Sequence, residues 1–282
     1  MPKVRPIDDF SEFGTNGAFG SSEKVSLFSI DQVVTWARAM NIAVDWSDRT
    51  FSITDTSGRT WKTPLHDDWT RDTWGKLLGR VADLKSAYKQ LASSPKHRSL
   101  SVIAVRDPRT RKMSFFESLT LMFGQTSAVY AFLRFSRAIA SVASKLFSLV
   151  VVEFFDDFTQ LETEELAESA QETLEALIKL IGWELATSES KRKPFDRVFT
   201  ALGVVVDLSG IRSGEVLLRN KPGRIEGIRA QVDLAMRCKR MGFREALSIR
   251  GKLAFAEGQN YGRISAPASF ILSRWANISK TK

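Results

Sequence analysis

One cysteine, Cys238, and two histidines, His66 and His97, are the only thiol and imidazole groups in the 282-residue chain. A lone cysteine cannot close an internal disulfide, and this complement cannot build a Cys/His zinc site. Long apolar runs are also missing. The longest, 147–152, is interrupted by Ser148 and followed at once by acids, far short of the ~20 residues of a membrane span. The first residues, Met1 to Pro6, lack the apolar centre of a signal peptide. These absences lead us to expect a soluble intracellular protein, cytoplasmic or nuclear, neither secreted nor held in a membrane. Internal repeats and low-complexity tracts are absent as well.

What is present is a core and an uneven charge. Hydrophobic residues make up 43% of the chain, enough for one or two domains at roughly 150 residues each. Lys and Arg number 41 against 32 Asp and Glu, a net charge of +9, which suits a polyanionic partner. Residues 212–252 hold 11 basic and 4 acidic residues, and 96–112 hold 6 and 1. Between 147 and 178 there are 9 acids and no Lys or Arg. Basic stretches around one acidic centre suit a protein that handles both a polyanion and a divalent cation.

Periodicity predicts an irregular start over 1–24, then a helix over Ile30–Met40 capped by Ser29 or Asp31. A hairpin is expected over Phe51–Lys62, turning at Thr56-Ser57-Gly58. The pattern then predicts a short helix over Trp69–Arg80 and strands over Arg80–Ala87, Leu100–Val105 and Met113–Phe116. A long helix over Ser127–Leu146 precedes a strand at Leu149–Val152, with Phe158 on its return partner. Thr159-Gln160-Leu161-Glu162 reads as a capping box for a helix running to Gly182. Val198–Leu208 reads as one strand, Gly214 turns into Val216–Leu218, and basic helices follow from Ile225. The order argues α+β with a helical C-terminal piece.

Three aspartates carry the candidate chemistry. Asp83 stands at or near the end of a strand, and Asp156 and Asp157 form a pair at the turn of an apolar hairpin. Adjacent carboxylates repel each other, and burying them unpaired is costly. A hard divalent cation relieves both problems, since Mg²⁺ prefers carboxylate and phosphate oxygens. On its own an Asp-Asp pair fits equally an exposed turn or a helix cap.

The surrounding motifs change that balance. Asp83, Tyr88 and Gln90 stand in the context D-x-x-x-x-[YF]-x-Q. Leu121-Met122-Phe123-Gly124-Gln125-Thr126-Ser127-Ala128 follows, and then Phe154-Phe155-Asp156-Asp157, with Asp83 and Asp156 73 residues apart. In order and spacing this series resembles the palm of a retroelement reverse transcriptase of the LTR/DIRS type. Lys3-Val4-Arg5-Pro6-Ile7-Asp8-Asp9-Phe10 with Asn16 is similar to a fingers segment of that family. Gly182-Trp183 with Lys191, then Leu202-Gly203, is similar to its lysine-bearing segment and primer-grip hairpin. Residues 247–263 resemble its first post-palm helices.

The resemblance implies a right-hand polymerase: partial fingers over 1–82 with an insertion at 17–80, a palm over 83–224, and the start of a thumb over 225–282. It implies an RNA-directed DNA polymerase that adds dNTPs to a primer on an RNA or DNA template. Asp83, the Leu84 carbonyl, Asp156 and Asp157 would hold two Mg²⁺ (or Mn²⁺) ions about 4 Å apart, and Lys191 would protonate pyrophosphate. Arg5, Tyr88, Gln90, Phe123 and Gly124 would bind the dNTP, with Tyr88 excluding ribose. Phe154, Phe155, Leu202, Gly203, Arg134 and Arg137 would meet primer and template. Several departures stand beside the match. Met122 and Val129 occupy places where the family's loop has prolines, the upstream fingers strands are missing, and no RNase H motif follows. The alternative is a catalytically silent polymerase-like fragment that binds nucleic acid or a partner.

Overall fold

Ile30, Val33 and Ala37 recur at helical spacing and are all buried, which places the first helix, α1, at Ile30–Ile42. Ser29 Oγ accepts from the Asp31 amide at its start. The computed structural model describes residues 10–11, 14–21, 23–188, 191–258 and 265–280. After α1 come β1 (Val44–Asp45), β2 (Thr50–Thr54), β3 (Thr60–Pro64) and the one-turn α2 (Arg71–Trp74). Next are β4 (Leu77–Asp83), β5 (Val102–Arg106), β6 (Met113–Glu117) and α3 (Thr126–Phe147). The acidic centre forms β7 (Val150–Phe154), β8 (Asp157–Thr163) and α4 (Ala167–Leu180). Then follow β9 (Val198–Ala201), β10 (Val204–Asp207), β11 (Leu217–Asn220), α5 (Arg224–Cys238), α6 (Phe243–Gly258) and α7 (Ala266–Lys280). Helix makes up 43% and strand 23%, in small antiparallel sheets, so the class is α+β and not a wound parallel sheet.

The chain groups into two compact units, Met1–Val33 with Leu78–Phe195, and Val34–Leu77 with Asp196–Lys282. In the first, the sheet order is β4-β8-β7. The central strand β8 is buried along most of its length because it has neighbours on both edges. Helices α3 and α4 contribute one apolar stripe each to a core that includes Phe132, Phe158, Leu174 and Ile178. In the second unit β1-β2-β3 form a meander whose Asp55 carboxylate accepts from the amides of Ser57 and Arg59, both at 2.9 Å. There too β9, β10 and β11 pair in that order. The β9–β10 turn has positive φ at Leu202 (+49°) and Gly203 (+75°), as a two-residue hairpin loop requires. A Cβ on Gly203 would lie 2.8 Å from the Arg224 guanidinium. Helices α5, α6 and α7 pack in succession. No described helix is long and apolar enough to cross a membrane.

Four elements differ from the sequence expectation. The helix expected over Trp69–Arg80 is only α2, because a Thr70–Thr73 capping box starts it and Gly75 ends it. Extended structure begins at Leu77 and stops at Asp83, and Ala87–Gln90 forms a 3₁₀ turn in place of the expected strand end. Thr159 to Glu162 is not a capping box but part of β8, where Thr159 pairs with Val152 and Leu161 with Val150. Ladder hydrogen bonds with a buried neighbour outweigh a local cap, and α4 starts at Ala167 with no side-chain cap. Val198–Leu208 is a hairpin and not a single strand.

Phe158 has no exposed surface and lies on the central strand within the core of the first unit. Phe158→Ala is expected to destabilise the protein by about 3–5 kcal/mol, read as a lower urea midpoint with native-like far-UV dichroism at zero denaturant.

Candidate active site

Asp83 is the last residue of β4, and Asp157 is the first residue of β8 beside it. Phe154 pairs with Asp157 across the β7–β8 hairpin, which leaves Phe155 and Asp156 as its two-residue turn. Phe155 takes φ +53°, a costly conformation for an aromatic residue. The Ser136 hydroxyl on α3, fully buried, donates to the Phe155 carbonyl at 2.5 Å and fixes that turn. The Leu84 amide donates to the Asp156 carbonyl at 3.0 Å. Carboxylates 73 residues apart in sequence are thereby joined through backbone.

The other edge of the β4 end is tied to the segment after α4. Ala186 N donates to Asp83 O at 2.8 Å and Lys85 N to Glu184 O at 2.9 Å. Gln90 spans the same seam, its amide donating to the carbonyls of Lys85 (2.6 Å) and Glu184 (2.9 Å) and accepting from Glu184 N (2.7 Å). Gln90 is therefore a brace whose side chain is committed to backbone. Lys191 Nζ reaches back from this segment and donates to Asp83 Oδ1. Beside the pair lies a cavity of about 440 Å³ whose walls include Arg80, Asp83, Trp183 and Lys191, so the ammonium has room to withdraw.

Electrostatics reflects the crowding. Burial first, and then the charges of Asp156 and Asp83, push the Asp157 carboxyl up to about 7, with Lys191 opposing and a hydrogen bond to Asp83 favouring the protonated form. The charges of Asp83 and Asp156 both act on Asp157. The oxygens of these carboxylates are the hard donors that Mg²⁺ prefers, so the donor set suits a divalent cation. Among the described residues, no three His, Cys, Asp or Glu side chains stand already grouped as a metal cage. Lys191 is the countercharge that Asp83 has instead.

Tyr88 is buried, its ring stacked on Phe132 (4.7 Å between centroids) and edge-on to Phe123 (4.8 Å). Burial and then the Asp156 charge push its hydroxyl up to about 12, so it stays neutral. Phe123 is 43% exposed above it, and Gly124 turns the loop at φ +93°. Asn16 holds that loop from both sides: its amide donates to Gly124 O, and its carbonyl accepts from Thr126 N, each at 2.9 Å. Phe154 packs edge-on against Phe155.

The arginines expected at primer and template have partners within the chain. Arg134 pairs with both Glu23 oxygens, at 2.9 and 3.2 Å, and Arg137 engages the Ser26 carbonyl and Glu153. Both side chains spend their charge within the protein. Leu202 and Gly203 belong to the second unit, and Arg5 lies outside the described residues, as do residues 3–9 of the fingers-like segment and 259–263 of the post-palm segment. Ser136 was missed by sequence reasoning. It is the one hydroxyl in the buried stripe Ala128, Phe132, Ser136, Ala140 and Ala143 of α3, and a polar residue on an apolar face is the signal that marks it.

No protein-family model matches the chain, and no characterised protein matches it in sequence. The functional reading therefore rests on the residues themselves.

Asp157 binds its proton more tightly folded than unfolded, so its contribution is fullest below about pH 4 and is lost as pH rises toward 7. Relative to Asp157→Asn, the wild type is expected to lose on the order of 2–4 kcal/mol between those limits. Parallel urea titrations of the two proteins across that range measure the difference.

Proposed function

We propose that the chain is the polymerising part of an RNA-directed DNA polymerase, of the kind carried by retroelements. The observation that carries this reading is the meeting of Asp83 with Asp156 and Asp157 at adjacent strand ends. In this reading the sheet β4-β8-β7 with α3 and α4 is a polymerase palm. Asp83, Asp156 and Asp157 would hold Mg²⁺, which when bound activates the primer hydroxyl and stabilises the leaving oxygen.

The chain's own residues do the rest. Ser136 and the Leu84 amide hold the Phe155–Asp156 turn by its carbonyls, which would limit the rearrangement the carboxylates need to act together. Asp157 must give up its proton to serve as a ligand, which its elevated pKa makes easiest above neutral pH. Lys191, paired with Asp83 at rest, would deliver a proton to a departing oxyanion once it lets go. Tyr88, stacked on Phe132 and with its hydroxyl in the field of Asp156, would be the ring that discriminates sterically against a 2′-hydroxyl. Gln90 positions the Lys85 and Glu184 backbone in this reading and does not touch nucleotide.

A second reading, a silent polymerase-like domain, draws on the same geometry. Lys191 already satisfies Asp83, and the three carboxylates are not grouped as a cage.

Primer extension on oligo(dT)–poly(rA) with Mg²⁺ and dTTP separates the two. Extension is expected, and Asp156→Ala with Asp157→Ala should reduce it about 10³-fold or more. A folded protein that holds the duplex and never extends it would establish the silent domain.

In the same assay with UTP, the wild type is expected to reject the ribonucleotide and Tyr88→Ala to incorporate it. Equal rejection by both proteins would remove Tyr88 from the role of sugar gate.

A further inference from the structure

The β5–β6 hairpin is joined to the first unit by backbone hydrogen bonds at its base. Ser118 N donates to Ser101 O at 2.9 Å, Ser93 N to Leu119 O at 2.9 Å, and Leu121 N to Leu91 O at 3.0 Å. No third strand pairs with it among the described residues. All of β6 is exposed, as is all of β5 except Ile103. Ile103 faces Phe116 and Ala104 faces Phe115 in the ladder, so the two phenylalanines project on opposite faces. They are 55% and 70% exposed. A two-stranded ribbon with apolar groups on both faces is marginal in water alone, and exposed apolar area of this kind marks a contact surface.

Charge selects the occupant. Arg106, Arg109, Arg111 and Lys112 crowd the turn, and none forms an ion pair among the described residues. The single acid of the stretch, Asp107, is turned onto the loop's own backbone and Thr110. Its carboxylate accepts from Arg109 N at 2.7 Å and from the Thr110 hydroxyl at 2.8 Å. The contrast with α3 is direct, since Arg134 pairs with Glu23 and Arg137 lies beside Glu153. A duplex offers phosphates but hides its base faces. A single strand offers both, phosphates for the cations and unstacked bases for the rings.

We propose that the β5–β6 hairpin binds single-stranded nucleic acid, with Phe115 and Phe116 stacking on bases and Arg106, Arg109, Arg111 and Lys112 holding the backbone. Such contacts tolerate sequence. The proposal uses none of the carboxylates; joined to the polymerase reading, its ligand is an unpaired stretch of template.

The test is fluorescence anisotropy of the full chain with a labelled oligothymidylate of about 20 nucleotides, in EDTA and over a range of salt. Arg109→Ala with Arg111→Ala is expected to lower the slope of log K against log salt by about 1.4. Phe115→Ala should weaken binding roughly tenfold with the slope unchanged, and Phe115→Trp should restore it. The same losses should appear in the Asp156→Ala, Asp157→Ala background, so failure of the polymerase reading leaves this result standing. Three outcomes would overturn the proposal. They are unchanged binding by the folded hairpin variants, equal affinity for a blunt duplex, and a concentration-dependent dimer abolished by Phe115→Ala.

Discussion

Mutual repulsion among Asp83, Asp156 and Asp157 is the interaction around which the first unit is arranged. Like charges separate unless something holds them, and here the hold is backbone. Asp83 ends a strand whose next amide bonds the Asp156 carbonyl, and Asp157 opens the neighbouring strand. The cost shows in the Asp157 carboxyl, pushed up to about 7, and in the left-handed Phe155. A strained residue and a displaced titration fall together at this hairpin, two costs in stability at one place.

The supports come from three directions. From α3, Ser136 anchors the turn and Phe132 backs the Tyr88 ring. From the segment after α4, Glu184 and Ala186 lengthen the sheet beyond Asp83, with Gln90 closing the seam. From the N-terminal segment, Asn16 clasps the Gly124 loop on both sides. These supports are uncharged, made by side chain-to-backbone bonds, backbone-to-backbone bonds and one ring stack, so they fix position without adding charge. Lys191 brings countercharge to Asp83, from the far end of a long side chain over a cavity.

The positive charge of the chain divides by how it is used. Arg134 and Arg137 serve the packing of the segment around Glu23 and Ser26 against α3. Arg224 lies over the Phe255 ring within the second unit. Among the described residues the cations of the β5–β6 turn form no ion pair, and they share the hairpin with exposed aromatic rings. Net charge therefore says less about a polyanion than the subset of cations the fold leaves unspent.

How much was legible in advance follows from the range of the forces involved. The hairpin turn at Asp156–Asp157, the helix from about Thr126 and the strand before Asp83 were readable because alternation and helical spacing are local patterns. The 159–162 segment was misread because a capping box is also a local pattern, and it lost to a ladder whose other half is β7. Helix α3 displays Arg134 and Arg137 as an apparently free basic face; only the folded N-terminal segment reveals Glu23 and Ser26 there. Lys191-Arg192-Lys193 could not be resolved into one acting lysine by sequence. Tertiary structure picks Lys191 for Asp83 and sends Arg192 to Glu175. By itself the sequence determined which carboxylates exist and that each sits at a strand end or turn, because local periodicity dictates both. Tertiary structure alone decided that Asp83 and Asp157 come together, that Lys191 pairs with Asp83 and which cations remain exposed, because pairing across the chain depends on strand neighbours that no local pattern encodes.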